Sequence, residues 1–319
     1  MNSPGLAPGY SISLRNGVQS LAIFSSLHDQ YRILEQRRKF YRCHGYRLDL
    51  DDPMSYNEKI MWRKVFDRNP LFPLLVDKHK ARSYVVEKLG KKEGEAILVP
   101  LLLLTENPED IPFDDLPEEY IVKPNHGSGW SIIVDSDHPS RPGKTVSKCR
   151  KWMNKTYGRS KMEWAYSCVK PLLLVERLLK DRCGRLAPNF KFFVFNGRVE
   201  MVDLYYDHFR KQGFFDRNFR KLYVKRRDAK YSEATGMQKP ECFEEMVSIS
   251  EKLGSGLDFV RVDLYHLEAK IFFGEFTIYP SSGLGPYEPT EFDLDLGKKW
   301  RLNRDFRRDL KTGFPCFST

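Results

Sequence analysis

FVRVDLYHLEAKIFFGEFTIYP, residues 259–280, holds two apolar runs that carry charge at intervals and turn near Leu267 to Ala269. Successive strand side chains point to opposite faces. Arg261 and Asp263 therefore share one face of the first run, and Glu275 and Thr277 share one face of the second. Their neighbours Phe259, Val262, Leu264, Ile271, Phe272 and Phe273 have the character of a buried sheet. A carboxylate in such a setting needs a partner, because an isolated buried charge is costly. Two readings supply one. Asp263, Glu275 and Thr277 are oxygen donors for a hard cation such as Mg²⁺, completed by water and phosphate oxygens. Alternatively, Arg261 and Glu275 form a cross-strand ion pair on a wet face.

Strand signals continue upstream. NFKFFVFNGRVEMVDLYYD, 189–207, turns at Asn196-Gly197, a strong hairpin dipeptide between apolar runs. LLLVERLL, 172–179, reads as a strand ending in charge. YIVKPNHGSGWSIIV, 120–134, pairs two β-branched runs around a Gly-rich loop, announced by the LPEE turn at 116–119. Glycines let backbone N–H groups approach an anion, and Lys123 adds a full charge. The alternative for this loop is a plain solvent turn. The familiar phosphate loops are incomplete: GKT at 143–145 has His138 where a P-loop needs glycine, and Gly127 and Gly129 are followed by Ile132 where GxGxxG needs its third. The backbone around Glu176 suits an adenine slot between two lobes, with Lys191 on the next strand; a charged sheet rim is the alternative for each.

Helical patterns occupy the first third. Residues 21–42 end in the basic run QRRKFYR. Residues 55–66 carry the stripe Ile60, Met61, Trp62 and Val65, with Asn57 as cap. Residues 73–89 read as a third helix, 145–168 as an amphipathic helix and its approach, and 241–253 as a helix stopping at Gly254. Residues 1–20 read as a loose arm. A helical first third followed by hairpins and intervening helices predicts an α+β fold with antiparallel sheets.

Bulk properties set limits. At 319 residues the chain has core for about two domains. A net charge of +10 favours an anionic partner: nucleotide, nucleic acid, acidic polysaccharide or anionic membrane face. No apolar run approaches the ~20 residues of a membrane span, and the N-terminus lacks a secretory signal pattern, so the expected location is cytoplasmic. Cys43, Cys149, Cys168, Cys183, Cys242 and Cys316 are scattered without a CxxC, against a zinc site or a disulfide framework.

Seven stretches occur in order: SYNEKIMW, NPLFPLLVDKHKARSYV, IVKPNHGSGW, LLVERLL, NFKFFVFNG, VRVDLY and FFGEFTIYPSSGLGPYEP. Together, over roughly residues 53–300, the chain resembles the TupA-like ATP-grasp family, linked to teichuronopeptide and surface-polysaccharide biosynthesis. The resemblance implies two lobes of antiparallel sheet gripping ATP. It divides the chain into a basic helical arm (1–50), a helical region (51–115), a small lobe with a glycine flap (116–178), a large lobe with an Mg²⁺ site (179–300) and a basic tail (301–319). It implies Lys123 on the ATP phosphates, Lys78 and His126 as further nucleotide contacts, a mobile flap of Gly127, Ser128 and Gly129, and an adenine hinge of Glu176, Arg177 and Leu178. Asn189 would meet the ribose. Lys191 would contact the nucleotide and act in catalysis with Arg261, which faces the reacting carboxyl group. Asp263, Glu275 and Thr277 would hold Mg²⁺. Two positions depart from the family pattern: Thr277 replaces an asparagine, and Asn189 stands where an acidic residue is common.

The expected activity is carbon–nitrogen ligation through an acylphosphate, releasing ADP and phosphate. An amino acid or peptide would be joined to a uronic-acid-containing surface polysaccharide or its precursor. FRKQGFFDRNFRKLYVKRRDAKY, 209–231, is basic and aromatic enough to track an acidic glycan, or is a solvated face. The competing classes are a glycosyltransferase, whose metal site usually needs a DxD, and a basic nucleic-acid-binding protein, for which no recognised motif is present. The acidic DLDL at 293–296 falls in a predicted loop. The helix bearing Arg37, Arg38, Lys39 and Arg42 docks on a membrane-bound glycan assembly or a partner, or is a solvated surface; RLNRDFRRDLK, 301–311, poses the same choice.

Overall fold

The computed structural model describes residues 12–206, 210–227, 231–233 and 236–308, with side chains from residue 27 onward except residue 28. The expectations for residues 1–11, Lys230, Cys316 and residues 309–311 lie outside the described residues.

Helix α1 spans Ile12–His44. It begins well before residue 21, because the helix-breaking Pro4, Gly5, Pro8 and Gly9 all precede it. Helix α2, Tyr56–Phe66, starts one residue after Ser55, whose hydroxyl accepts from the Glu58 amide while the Glu58 carboxylate takes the Ser55 amide at 2.9 Å. The cap is thus Ser55, in a reciprocal capping box, and not Asn57. Asn57 lies inside the first turn, where its amide donates to Asp293 at 2.8 Å and to the Gly285 carbonyl. The expected third helix is two, α3 Phe72–Val76 and α4 Lys80–Leu89. The Asp77 carboxylate interrupts it by accepting from the amides of His79 and Lys80 at 2.9 and 3.2 Å. Helix α5, Lys91–Ala96, follows.

The first sheet is four-stranded and antiparallel, in the order β1 (Leu101–Thr105), β4 (Leu173–Arg177), β2 (Tyr120–Pro124), β3 (Ile132–Val134). Helix α6, Pro142–Met153, packs on β2 through Cys149 and Trp152, and ends earlier than the sequence pattern suggests. A short α7, Trp164–Ser167, completes that stretch.

The second sheet is built on β5 (Asn189–Phe195), β6 (Arg198–Tyr206), β7 (Lys211–Phe215), β11 (Phe259–Leu267) and β12 (Lys270–Thr277), all neighbouring pairs antiparallel. The small strands β8 (Lys221–Leu222) and β10 (Ser232–Glu233) flank β7, and β9 (Lys225–Arg226) pairs with β13 (Tyr287–Glu288). Asn196 and Gly197 form the β5–β6 turn with positive φ at both residues, and Glu268 and Ala269 do the same for β11–β12. The α+β architecture with antiparallel sheets is as expected.

One face of the second sheet is sealed by α8, Phe243–Gly254, over Phe190, Phe192, Val260 and Val262. Each fully buried side chain of this kind contributes on the order of 2 kcal/mol. The other face meets Tyr56 of α2 and Trp300, which pack on Phe195 and Phe259. Helix α9, Glu291–Lys299, contains the DLDL segment, so that segment is helix and not loop. Glu291 and Asp293 in its first turn and Lys298 and Lys299 in its last suit the helix dipole.

Two β-bulges decide which side chains share the open face. Pairing from the Asn196-Gly197 turn runs Phe195 to Arg198 and Val194 to Val199, then shifts, so that Lys191 pairs with Asp203 and Asn189 with Tyr205. In the β11–β12 hairpin Leu264 pairs with Phe273, and beyond Gly274 Asp263 pairs with Glu275. A one-residue shift moves every later side chain to the opposite face. Together with the Asp263–Lys191 pairing of β11 and β5, the result is one row, Glu275, Asp263, Lys191, Asp203, crossing four strands.

Candidate active site

That charged row forms the floor of a cleft whose opposite wall is the first sheet. Arg261 grips Asp263 with two hydrogen bonds, 2.6 and 2.7 Å, and reaches Glu275 at 3.5 Å. The cross-strand ion pair therefore exists, inside the cleft and not on an outer surface. Lys78, at the α3–α4 break, lies 3.1 Å from Glu275 and donates to the Gly127 carbonyl of the flap. Burial pushes the Glu275 carboxyl up, but Lys78 and Arg261 outweigh it and hold the group down at about 2. Burial works against the Arg261 charge, and Asp263 and Glu275 more than restore it. Burial, aided by Arg261, lowers Lys191, whose ammonium sits 4.0 Å from the centre of the Tyr205 ring.

The oxygen set suits a hard divalent ion: two carboxylates that already converge on one cationic group, with the Thr277 hydroxyl 3.5 Å from Glu275. Among the described residues no cluster of three or more His, Cys, Asp or Glu side chains could hold a metal. Two carboxylates plus phosphate oxygens are nevertheless a usual ligand set for Mg²⁺.

Beside the row lies a cavity of about 190 Å³, walled by Ile121 and Ile133 of the first sheet, Leu178 just after β4, and Tyr265 of β11. Glu176 lines it, but its carboxylate is spoken for by Lys123 at 2.6 Å and Arg82 at 3.6 Å. The Glu176 side chain is thus already paired, and what the residue leaves toward the cavity is backbone. Arg177 and Leu178 also line the cavity. Asn189, 5% exposed, has a buried side-chain oxygen with no hydrogen-bond partner. Buried acceptors are nearly always paired, so this atom is available to a ligand hydroxyl.

The flap is anchored by Asn125, whose side chain donates to Asp77 and the Lys170 carbonyl and accepts from the Leu172 amide at 2.8 Å. His126 does not face the cleft. It is buried, with its ring nitrogens 3.2 Å from the Asn125 side chain and the Trp152 carbonyl, and burial lowers its pKa. It therefore secures the base of the flap. Gly127 lies against the Trp130 ring so closely that a Cβ would come within 2.7 Å of it. Gly129 has φ +73° and Ser128 is exposed at the tip.

Sequence reasoning missed Arg82, Asp203, Tyr205 and Gln212. Gln212 donates to Asp203 at 2.8 Å and to the Tyr205 hydroxyl at 2.6 Å. The signal was an acid within the apolar run VEMVDLYY.

The family profile described as TupA-like ATPgrasp matches residues 58–301. The chain belongs to this TupA-like ATP-grasp family. No curated protein matches it. Among solved structures, the TupA-like ATP-grasp chain is similar to an L-amino acid ligase from Bacillus licheniformis (15% identity, TM-score 0.40, covering 71% of this chain and 46% of that one). It is also similar to the ATP-grasp ligase PsnB complexed with precursor peptide PsnA2 and AMPPNP (10%, 0.36, covering 70% and 57%). A third is a D-alanine–D-alanine ligase from Helicobacter pylori (14%, 0.42, covering 77% and 68%). The chain spans about half the length of the first two. No helix among the described residues is long and apolar enough to cross a membrane.

Proposed function

We propose that this chain is an ATP-dependent carboxylate–amine ligase. The observation that carries the reading is the charged row itself. Arg261, Lys78 and Lys191 stand around Asp263 and Glu275 beside a small, largely apolar cavity, and Asn189, with its unpaired acceptor, is the strand partner of Tyr265 in the cavity wall. Adenine would lie between Ile121, Ile133, Leu178 and Tyr265, with Asn189 on the ribose. Lys123, freed from Glu176, and Lys78 would meet the phosphates under the loop of Gly127, Ser128 and Gly129. Asp263 and Glu275, with Thr277, would hold Mg²⁺, which when bound supplies charge neutralisation along the phosphate chain.

The chemistry follows from charge. A substrate carboxylate oxygen attacks the γ-phosphorus, the bond to ADP breaks, and an acylphosphate forms. Lys191 and Arg261 are placed to offset the negative charge that spreads over the transferring group. An amine nitrogen then attacks the acyl carbon, phosphate departs, and the nitrogen loses a proton. The closed flap keeps water from an intermediate that hydrolyses readily. The relatives' names support amino acids or peptides as one substrate. The basic segment after β6 and the family's link to surface polysaccharide support a uronic-acid glycan or its precursor as the other. A cytoplasmic location, at the inner face of the membrane, goes with that acceptor.

The test is ADP release across a panel of uronic acids and amino acids, with mass spectrometry of the product. A condensed product with ADP and phosphate supports the ligase. AMP and pyrophosphate, or a sugar-transfer product, overturns it.

A further inference from the structure

A second cavity, about 520 Å³, lies at the β7 end of the charged row, on the far side of Lys191 and Asp203 from the nucleotide cavity. Its lining is cationic and aromatic: Lys221, Lys225, Arg226, Tyr223 and Tyr231. Gln212 is shared between this lining and the row, because it lines the cavity and bonds to Asp203. The two linings lie three to four strand spacings apart, from β7 to β11 and β12, roughly 14 to 19 Å at ~4.8 Å per strand.

We propose that this cavity binds a carboxylate-bearing sugar of the substrate, distinct from the group that reacts. Tyr223 is 85% exposed and has the Lys221 ammonium 5.6 Å from the centre of its ring, so an aromatic surface and a cation stand together at this cavity. A flat aromatic face suits the C–H face of a pyranose, and a guanidinium fork suits its carboxylate. Lys225 pairs with Glu288 at 3.3 Å on the exposed rim. Such a rim pair is worth little, so an incoming carboxylate exchanges for Glu288 at small cost.

Ser281 lies four residues beyond the end of β12, the strand that carries Glu275 and Thr277. The Ser281 hydroxyl accepts from Arg226 at 2.8 Å, which fixes the guanidinium at the cavity wall. The site's place in the reaction rests on the ligase reading; binding to it does not.

The test is a titration of the full chain, without nucleotide, with oligogalacturonate, neutral maltotetraose and hexaglutamate. Saturable binding of oligogalacturonate alone is expected, weakened at least about fivefold by Tyr223→Ala through lost ring contact and further by Lys221→Glu with Lys225→Glu. Unchanged binding in these variants overturns the proposal, as does equal binding of hexaglutamate or of a single-stranded RNA oligonucleotide. A separate titration with a non-hydrolysable ATP analogue distinguishes the two readings: uronate binding without nucleotide binding overturns the ligase and supports the cavity.

Discussion

Lys78 lies 3.1 Å from Glu275 while donating to the Gly127 carbonyl, so one ammonium ties the charged row of the second sheet to the flap of the first. Lys78→Met removes that tie. The expected result is nucleotide affinity weakened by about tenfold, the scale of one lost charge-assisted contact. Acid stability shifts too. Glu275 is depressed in the fold, to about 2, so its contribution is complete above the unfolded value of 4.5 and is lost as pH falls from there through 2. The variant should therefore unfold at higher pH in an acid titration followed by circular dichroism. An unchanged acid midpoint contradicts the pairing.

Asn189→Ala is expected to leave melting temperature nearly unchanged, because the side-chain oxygen it deletes has no partner in the fold. Binding of ATP should weaken about fivefold, as for one hydrogen bond, while binding of a nucleotide lacking ribose hydroxyls should not. Calorimetric titration of both nucleotides reads this directly. Equal losses for the two would remove Asn189 from the ribose.

Gly127→Ala places a methyl 2.7 Å from Trp130, a ring that cannot easily retreat because it stacks on Trp152 and meets Tyr157 edge-on at 5.2 Å. The flap must shift instead. KM for ATP should rise by about tenfold, with a change in tryptophan fluorescence and little change in global stability. Steady-state kinetics with wild-type KM would show that the loop does not close over the nucleotide.

Asp293 provides a pH test of the scaffold. Burial raises its carboxyl to about 6, against hydrogen bonds from Asn57. The native state therefore takes up a proton between pH 6 and the unfolded value of 3.8 that the unfolded chain does not. Stability from this group rises as pH falls through that window, by up to about 3 kcal/mol. Asp293→Asn should flatten the profile between pH 4 and 6 in thermal unfolding experiments. A slope equal to that of the wild type would disprove the assignment.

Legibility in the sequence followed the range of the interactions involved. The Asn196-Gly197 hairpin could be read because its turn chemistry is local, and so could the alternation that set Arg261 beside Asp263. Helix ends were harder. Asn57 looked like a cap because its distant partner Asp293 is invisible in one dimension, and the break at Asp77 depends on a side chain turning back on its own backbone. Residues of the row were individually recognisable as Lys191, Asp263 and Glu275. Asp203 was not, because counting from the turn pairs Lys191 with Val202; only the bulge brings Asp203 to the open face. His126 was drawn toward the ligand by its place in the motif, whereas its hydrogen bonds lie inside the first sheet's core.

The two bulges make the centre a matter of parity. Swapping one side chain of the row alters a single charge, and the remaining groups keep their places. A register running on from the turn without either bulge would instead trade every later inward residue for its outward neighbour, emptying the cleft of charge. Evolution can thus explore new substrates here by exchange of residues, whereas changes of register in these hairpins are closed to it.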